Sequence, residues 1–150
     1  MHGFDNRNVA AILKSIQQGV QGPTGVVFSY AGNIPASFIT PSGYELLKPV
    51  GYIYQLLDCS LQTIGGNAAG ANISIVFTQP ITGNQITLVT FAPAGLLQNT
   101  ITRMGDPNTT VSTQSINTAK PMTNVRIIES GGGVTGASSF YLRMTYFLFR

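Results

Sequence analysis

From Gly25 to the C-terminus the sequence is a succession of short runs rich in Val, Ile, Thr, Tyr and Phe, each cut off by Gly, Pro or Asn. β-Branched and aromatic side chains suit a pleated surface, while Gly and Pro interrupt it, so this texture predicts strands and turns. The runs lie at 25–30, 36–40, 52–64, 72–79, 85–91, 98–103, 109–116, 124–130 and 138–149. Several alternate: Ile73, Ile75 and Phe77 share one face, and Val125 and Ile127 oppose Arg126 and Ile128. Successive strand side chains point to opposite sides, so alternation predicts sheets with one dry and one wet face and antiparallel pairing. Many short strands with frequent turns give an all-β expectation, an antiparallel β-sandwich or jelly roll. With 150 residues in all, 25–150 is read as one domain and 1–24 as an N-terminal arm.

The final run departs from the alternating pattern. Phe140, Leu142, Met144, Tyr146 and Leu148 fall on one face, and Tyr141, Phe147 and Phe149 on the other. A strand apolar on both faces must be covered on both. One cover is the core of the sandwich; the other is the N-terminal helix or a neighbouring subunit. That helix is expected at 6–20, where Val9, Ile12, Leu13, Ile16 and Val20 recur at spacings of three and four and so share one face. Asn6 or Asn8 can cap its start, and Gly19 or Gly22-Pro23 can end it. The five apolar residues are the candidate partner-binding face.

Only 9% of the residues are charged, against about 25% in an ordinary soluble domain. Exposed charge keeps protein surfaces apart, so a chain this short of it is poorly insulated from its neighbours. That favours an assembly component over a free-standing enzyme. The eight Lys and Arg outnumber five Asp and Glu, but they form no cluster, and no nucleic-acid partner is expected. No run reaches the roughly 18 apolar residues of a membrane span, so no membrane partner is expected. No secretory signal is read at the N-terminus, where Asp5, Arg7 and Lys14 interrupt any apolar core. Synthesis in a host cytoplasm is the corresponding expectation.

Catalytic chemistry finds little to build on. The lone histidine is His2, and the lone cysteine, Cys59, sits inside an apolar run and reads as a small buried hydrophobe. Its neighbour Asp58 falls on the opposite face of the same run. A zinc site fails on ligand count. A glycosidase would need two of Asp5, Glu45, Asp58, Asp106 and Glu129 to converge, with Glu45 and Glu129 the pair considered. Gly131-Gly132-Gly133-Val134-Thr135-Gly136 matches the spacing of a dinucleotide loop, but a strand follows it where that site requires a helix, so it reads as a flexible hairpin loop. No cofactor, no metal and no enzymatic activity are expected. Gly105-Asp106-Pro107-Asn108 reads as a turn.

Taken together, the N-terminal arm, the Thr/Asn/Gly-rich β body, the scarce charge, the single Cys and a closing pair of strands at Asn124–Ile128 and Phe140–Tyr146 across a Gly-rich turn resemble bacteriophage virion structural proteins. The resemblance is to head-decoration (cement) and minor capsid proteins. It implies a homo-oligomer, with a trimer favoured, whose partners are a major capsid protein or other virion subunits. Two further functions are carried alongside. One is a glycan- or receptor-binding module of a tail or fibre, with loops 65–70, 104–108 and 131–136 as its recognition surface. The other is a major capsid subunit built from a single jelly roll.

Overall fold

The computed structural model describes residues 25–49, 51–78, 84–112 and 124–149. The expected helix at 6–20, with Val9, Ile12, Leu13, Ile16 and Val20, lies outside the described residues, as does most of the loop at 79–84.

Among the described residues, nine strands form two antiparallel sheets. In chain order they are β1 (Gly25–Pro35), β2 (Tyr44–Leu47), β3 (Ile53–Ile64), β4 (Asn72–Thr78), β5 (Gln85–Phe91), β6 (Ile101–Arg103), β7 (Thr109–Val111), β8 (Asn124–Ser130) and β9 (Ser139–Phe149). The four-stranded sheet has the order β1-β9-β3-β6, and the five-stranded sheet the order β2-β8-β4-β5-β7. The pairing is nested: β1 with β9, β2 with β8, β3 with β6, β4 with β5. Such nesting is what results when a long two-stranded ribbon rolls up on itself, and it defines a jelly roll. β7 adds one short strand beyond β5.

The core lies between the sheets and draws on both. Ile34, Leu61, Phe140 and Leu142 of the first sheet meet Ile73, Ile75, Phe91, Val125 and Ile127 of the second, all essentially fully buried. Two irregularities tune this packing. Leu57 is an extra residue between Leu56 and Asp58 in the β3–β9 register, which turns both Leu56 and Cys59 inward. Leu88 is the corresponding extra residue in β5, and both it and Val89 are buried. β4 is buried on both faces, Ser74 and Val76 included, whereas the alternation predicts one wet face. It is flanked by β8 and β5, and the Ser74 and Thr90 hydroxyls bond each other at 2.9 Å.

The expected strand at 36–40 is a 3-10 turn over Ala36–Phe38, closed by the Ile39 N–H on the Ala36 carbonyl at 3.1 Å. Pro35 fixes the backbone on entry, and the turn carries the chain from the first sheet toward β2 in the second while burying Ile39. The run at 98–103 shortens to 101–103 because Asn99 adopts a left-handed conformation (φ 61°), making a turn before the strand.

One end of the sandwich is closed by glycine. β8 and β9 lie in different sheets, so 131–136 is a crossover between sheets and not a hairpin turn. It runs beside the other crossover, 65–70, and the two pair through Ala69 and Thr135, each N–H donating to the other's carbonyl at 2.9 and 3.0 Å. A Cβ on Gly66 would collide with the Gly136 carbonyl oxygen, and one on Gly136 (φ 83°) with that of Asn67. Only glycine lets the β3/β9 ribbon turn this corner into β4/β8 with backbone against backbone. The buried Glu129 carboxylate accepts the Gly133 N–H at 3.0 Å and steadies the same crossover.

Candidate interaction surface on the four-stranded sheet

β9 sits second in its sheet, between β1 and β3, and the register decides what accompanies its outward side chains. At the end away from the glycine corner, Phe149 lies opposite Gly25 and Ile53, and Phe147 opposite Val27 and Gln55. The two phenyl rings stand 5.2 Å apart. Phe147 leans over Gly25, where a Cβ would strike its ring, so the glycine makes room for the aromatic. Val27 is 47% exposed, and Phe147, Phe149 and Ile53 are half-buried. The inward side of this end is aromatic too. Phe28 stacks on Tyr146 at 5.8 Å, and Tyr146 stacks on Tyr54 at 5.2 Å. Tyr54 is fully buried and donates to the Met144 sulfur at 3.6 Å, and burial raises its pKa well above 10.0. Phe28 stays 40% exposed. The double apolar character of β9 is therefore real, and among the described residues its outer cover at this end is incomplete.

β1 adds a second feature. It is the sheet's outermost strand, paired only with β9 among the described residues, and its eleven residues carry no charge. Strand edges normally carry Lys, Pro or a bulge that discourages pairing with other chains. Here Pro35 stands only at the far end.

Toward the glycine corner the same outer face becomes polar. Arg143 lies opposite Ser60 of β3, Tyr141 opposite Gln62, and β6 places Ile101 beside Gln62 and Arg103 beside Ser60. With Asp106 from the following turn these side chains line an open basin of about 530 Å³. The Arg143 guanidinium lies 5.4 Å above the Tyr141 ring. Arg103 pairs with Asp58 at 3.3 Å, and its backbone N–H donates to Asp106 Oδ2 at 2.8 Å.

The carboxylates considered as a catalytic pair do not meet. Glu45 faces outward opposite Arg126 and accepts from Asn124 at 3.3 Å; Glu129 is three positions along β8, hence on the inward face. Asp106 shapes the Gly105–Asn108 turn as expected, with Asn108 left-handed (φ 66°). Cys59 is a buried free thiol whose pKa is raised, chiefly by burial and then by the Asp58 charge. Among the described residues no three His, Cys, Asp or Glu side chains come together. Loops 65–70 and 131–136 lie side by side and hold each other through the Ala69–Thr135 backbone bonds. Sequence pattern flagged Phe147, Phe149 and Tyr141 but not Val27, Ile53 or the basin, whose members are joined only by register.

No protein-family model matches the chain, and no curated protein matches it. Among solved structures, the capsid asymmetric unit of cyanophage Pam1 is similar with a TM-score of 0.45 at 11% identity, over 85% of this chain and 86% of that one. A chain of infectious bursal disease virus, Gx strain, gives 0.41 at 15% identity over 86% of this chain, which spans 32% of its length. The virus-like particle of the prawn Macrobrachium rosenbergii extra small virus gives 0.29 at 9% identity, over 85% and 81%. At TM-scores below 0.5 these likenesses add nothing to what the strand order establishes.

Proposed function

We propose that the protein is a structural subunit of a virion shell, in which the apolar end of the four-stranded sheet is buried by other copies or by other shell subunits. The observation that carries this reading is the outward apolar cluster of Val27, Ile53, Phe147 and Phe149, incompletely covered among the described residues, beside an uncharged strand edge. Contiguous apolar surface of this kind marks an interaction site. An open edge accepts a strand from a partner through backbone hydrogen bonds that need no charge. Jelly rolls build viral capsids, lectins and cupins. A cupin-like enzyme would need a set of donors around a central metal, and this sequence has one histidine.

Decoration or minor-capsid placement, a major-capsid role and a trimeric state are finer forms of the same reading. They differ in copy number per particle. The apolar face Val9, Ile12, Leu13, Ile16 and Val20, read from spacing alone, is proposed as an anchor for a neighbouring subunit. Binding only the assembled lattice would stabilise it by mass action. The test is electron microscopy of the full chain, alone and mixed with particles lacking it. Closed shells or added density on particles are expected, and density should fall when Ile12 and Ile16 are both changed to Asp. A chain that forms no regular assembly and binds no particle contradicts the reading.

A further inference from the structure

We propose that the basin between Arg143, Tyr141, Gln62, Ser60, Ile101 and Asp106 binds a sugar bearing a single carboxylate. The proposal rests on different residues from the shell reading and stands apart from it. Arg143 has no carboxylate partner among the described residues, and its guanidinium lies over the face of Tyr141, 5.4 Å from the ring centre. A guanidinium held over an aromatic ring with no carboxylate partner keeps N–H groups available, and these match a carboxylate with two parallel hydrogen bonds. The other arginine of the basin is already engaged with Asp58.

The remaining lining selects the rest of the ligand. Asp106, half-buried, balances the charge of Arg143, so the basin as a whole is close to neutral. A polyphosphate or a nucleic-acid backbone would meet Asp106 as well as Arg143 and finds no cationic stripe. A sugar carrying one acid group and several hydroxyls can satisfy both. Its carboxylate takes Arg143, and its hydroxyls donate to Asp106 and exchange hydrogen bonds with Gln62 and Ser60. Ile101, 59% exposed, offers a wall for the C–H face of the ring. At about 530 Å³ the basin falls within the usual range of small-ligand sites, about 300–1,000 Å³.

The experiment is ligand-observed NMR titration of the full chain with methyl β-glucuronide, methyl β-glucoside and a tetraglutamate peptide. The glucuronide is expected to bind at least about tenfold more tightly than the glucoside, the effect of a charge-assisted hydrogen-bond pair. Arg143→Gln should reduce the glucuronide to the level of the glucoside, and Arg143→Lys should recover only part of the difference. Arg143 is exposed, so both variants should fold, and both should assemble like the parent, which separates this site from the apolar end. Equal binding of the two sugars, glucuronide binding unchanged in Arg143→Gln, or tighter binding of the peptide than of the glucuronide would each overturn the proposal.

Discussion

The two ends of the sandwich solve the same problem in opposite ways. At the glycine end, β9 enters its sheet beside a corner in which two crossovers satisfy each other, backbone to backbone, through Ala69 and Thr135. At the other end the same strand finishes in Phe147 and Phe149, against Val27 and Ile53, and among the described residues the outward cover there is incomplete. The first end is closed by its own chain because glycine removes every side chain that would hold the loops apart. The second is left apolar where a free monomer would carry charge. Intrachain closure at one end and incomplete cover at the other is the arrangement expected of a unit made to be joined.

The largest effect that would break this contrast lies at the open end. Changing Phe147 and Phe149 together to Asp should raise the dissociation constant of the assembly at least about a thousandfold, taking about 2 kcal/mol for each interface anchor. Sedimentation would read this, and circular dichroism should show the β body retained. Unchanged assembly would mean that the contact lies elsewhere.

Next comes a matched pair of glycines. Gly136, at the closed end, and Gly51, just before β3 at the open end, share φ 83°, but an added Cβ meets the Asn67 carbonyl oxygen at Gly136 and nothing within 4 Å at Gly51. Gly136→Ala should therefore destabilise by about 3 kcal/mol, strain and collision together, and Gly51→Ala by only about 1 kcal/mol. Urea melts measure both. Equal costs would show that the corner is not tightly packed.

A pH titration compares the core beneath the two ends. Tyr54 underlies the open end, and Cys59 lies further along β3; burial raises both acids above their ordinary values of 10.0 and 9.0. In the unfolded chain they ionise at those ordinary values, while the native state keeps them protonated. Stability is thus fully present below about pH 9 and falls above it, by about 1.4 kcal/mol per pH unit for each group so held. A stability curve flat from pH 7 to 10.5 would contradict native burial of the two groups. The smallest effect is expected from Asp58→Asn, because its pair with Arg103 is well exposed (65% and 45%). A change within about 0.5 kcal/mol should follow in the same melts.

What the sequence made legible was local. Alternation in Ile73–Phe77 and Val125–Ile128 marks strands and their inward faces, and the double apolar pattern of β9 already points to a second cover. The four residues of β2 were too few to show a period, and Tyr-Glu-Leu-Leu does not alternate. The turn at 36–38 reads as strand because Ser, Phe, Ile and Thr carry no local signal of leaving the sheet. The corner needs 65–70 to meet 131–136, and the basin needs β3, β6 and β9 in one register. Those are long-range pairings, and composition does not encode them locally.

The association state of the purified full-length chain, followed by sedimentation velocity across a hundredfold range of concentration, bears most directly on the open end. A discrete oligomer that Phe147→Asp with Phe149→Asp reduces to monomers is the expected result. A single, soluble monomer at the highest concentration, with Val27 and Phe28 as accessible to solvent as before, would contradict it.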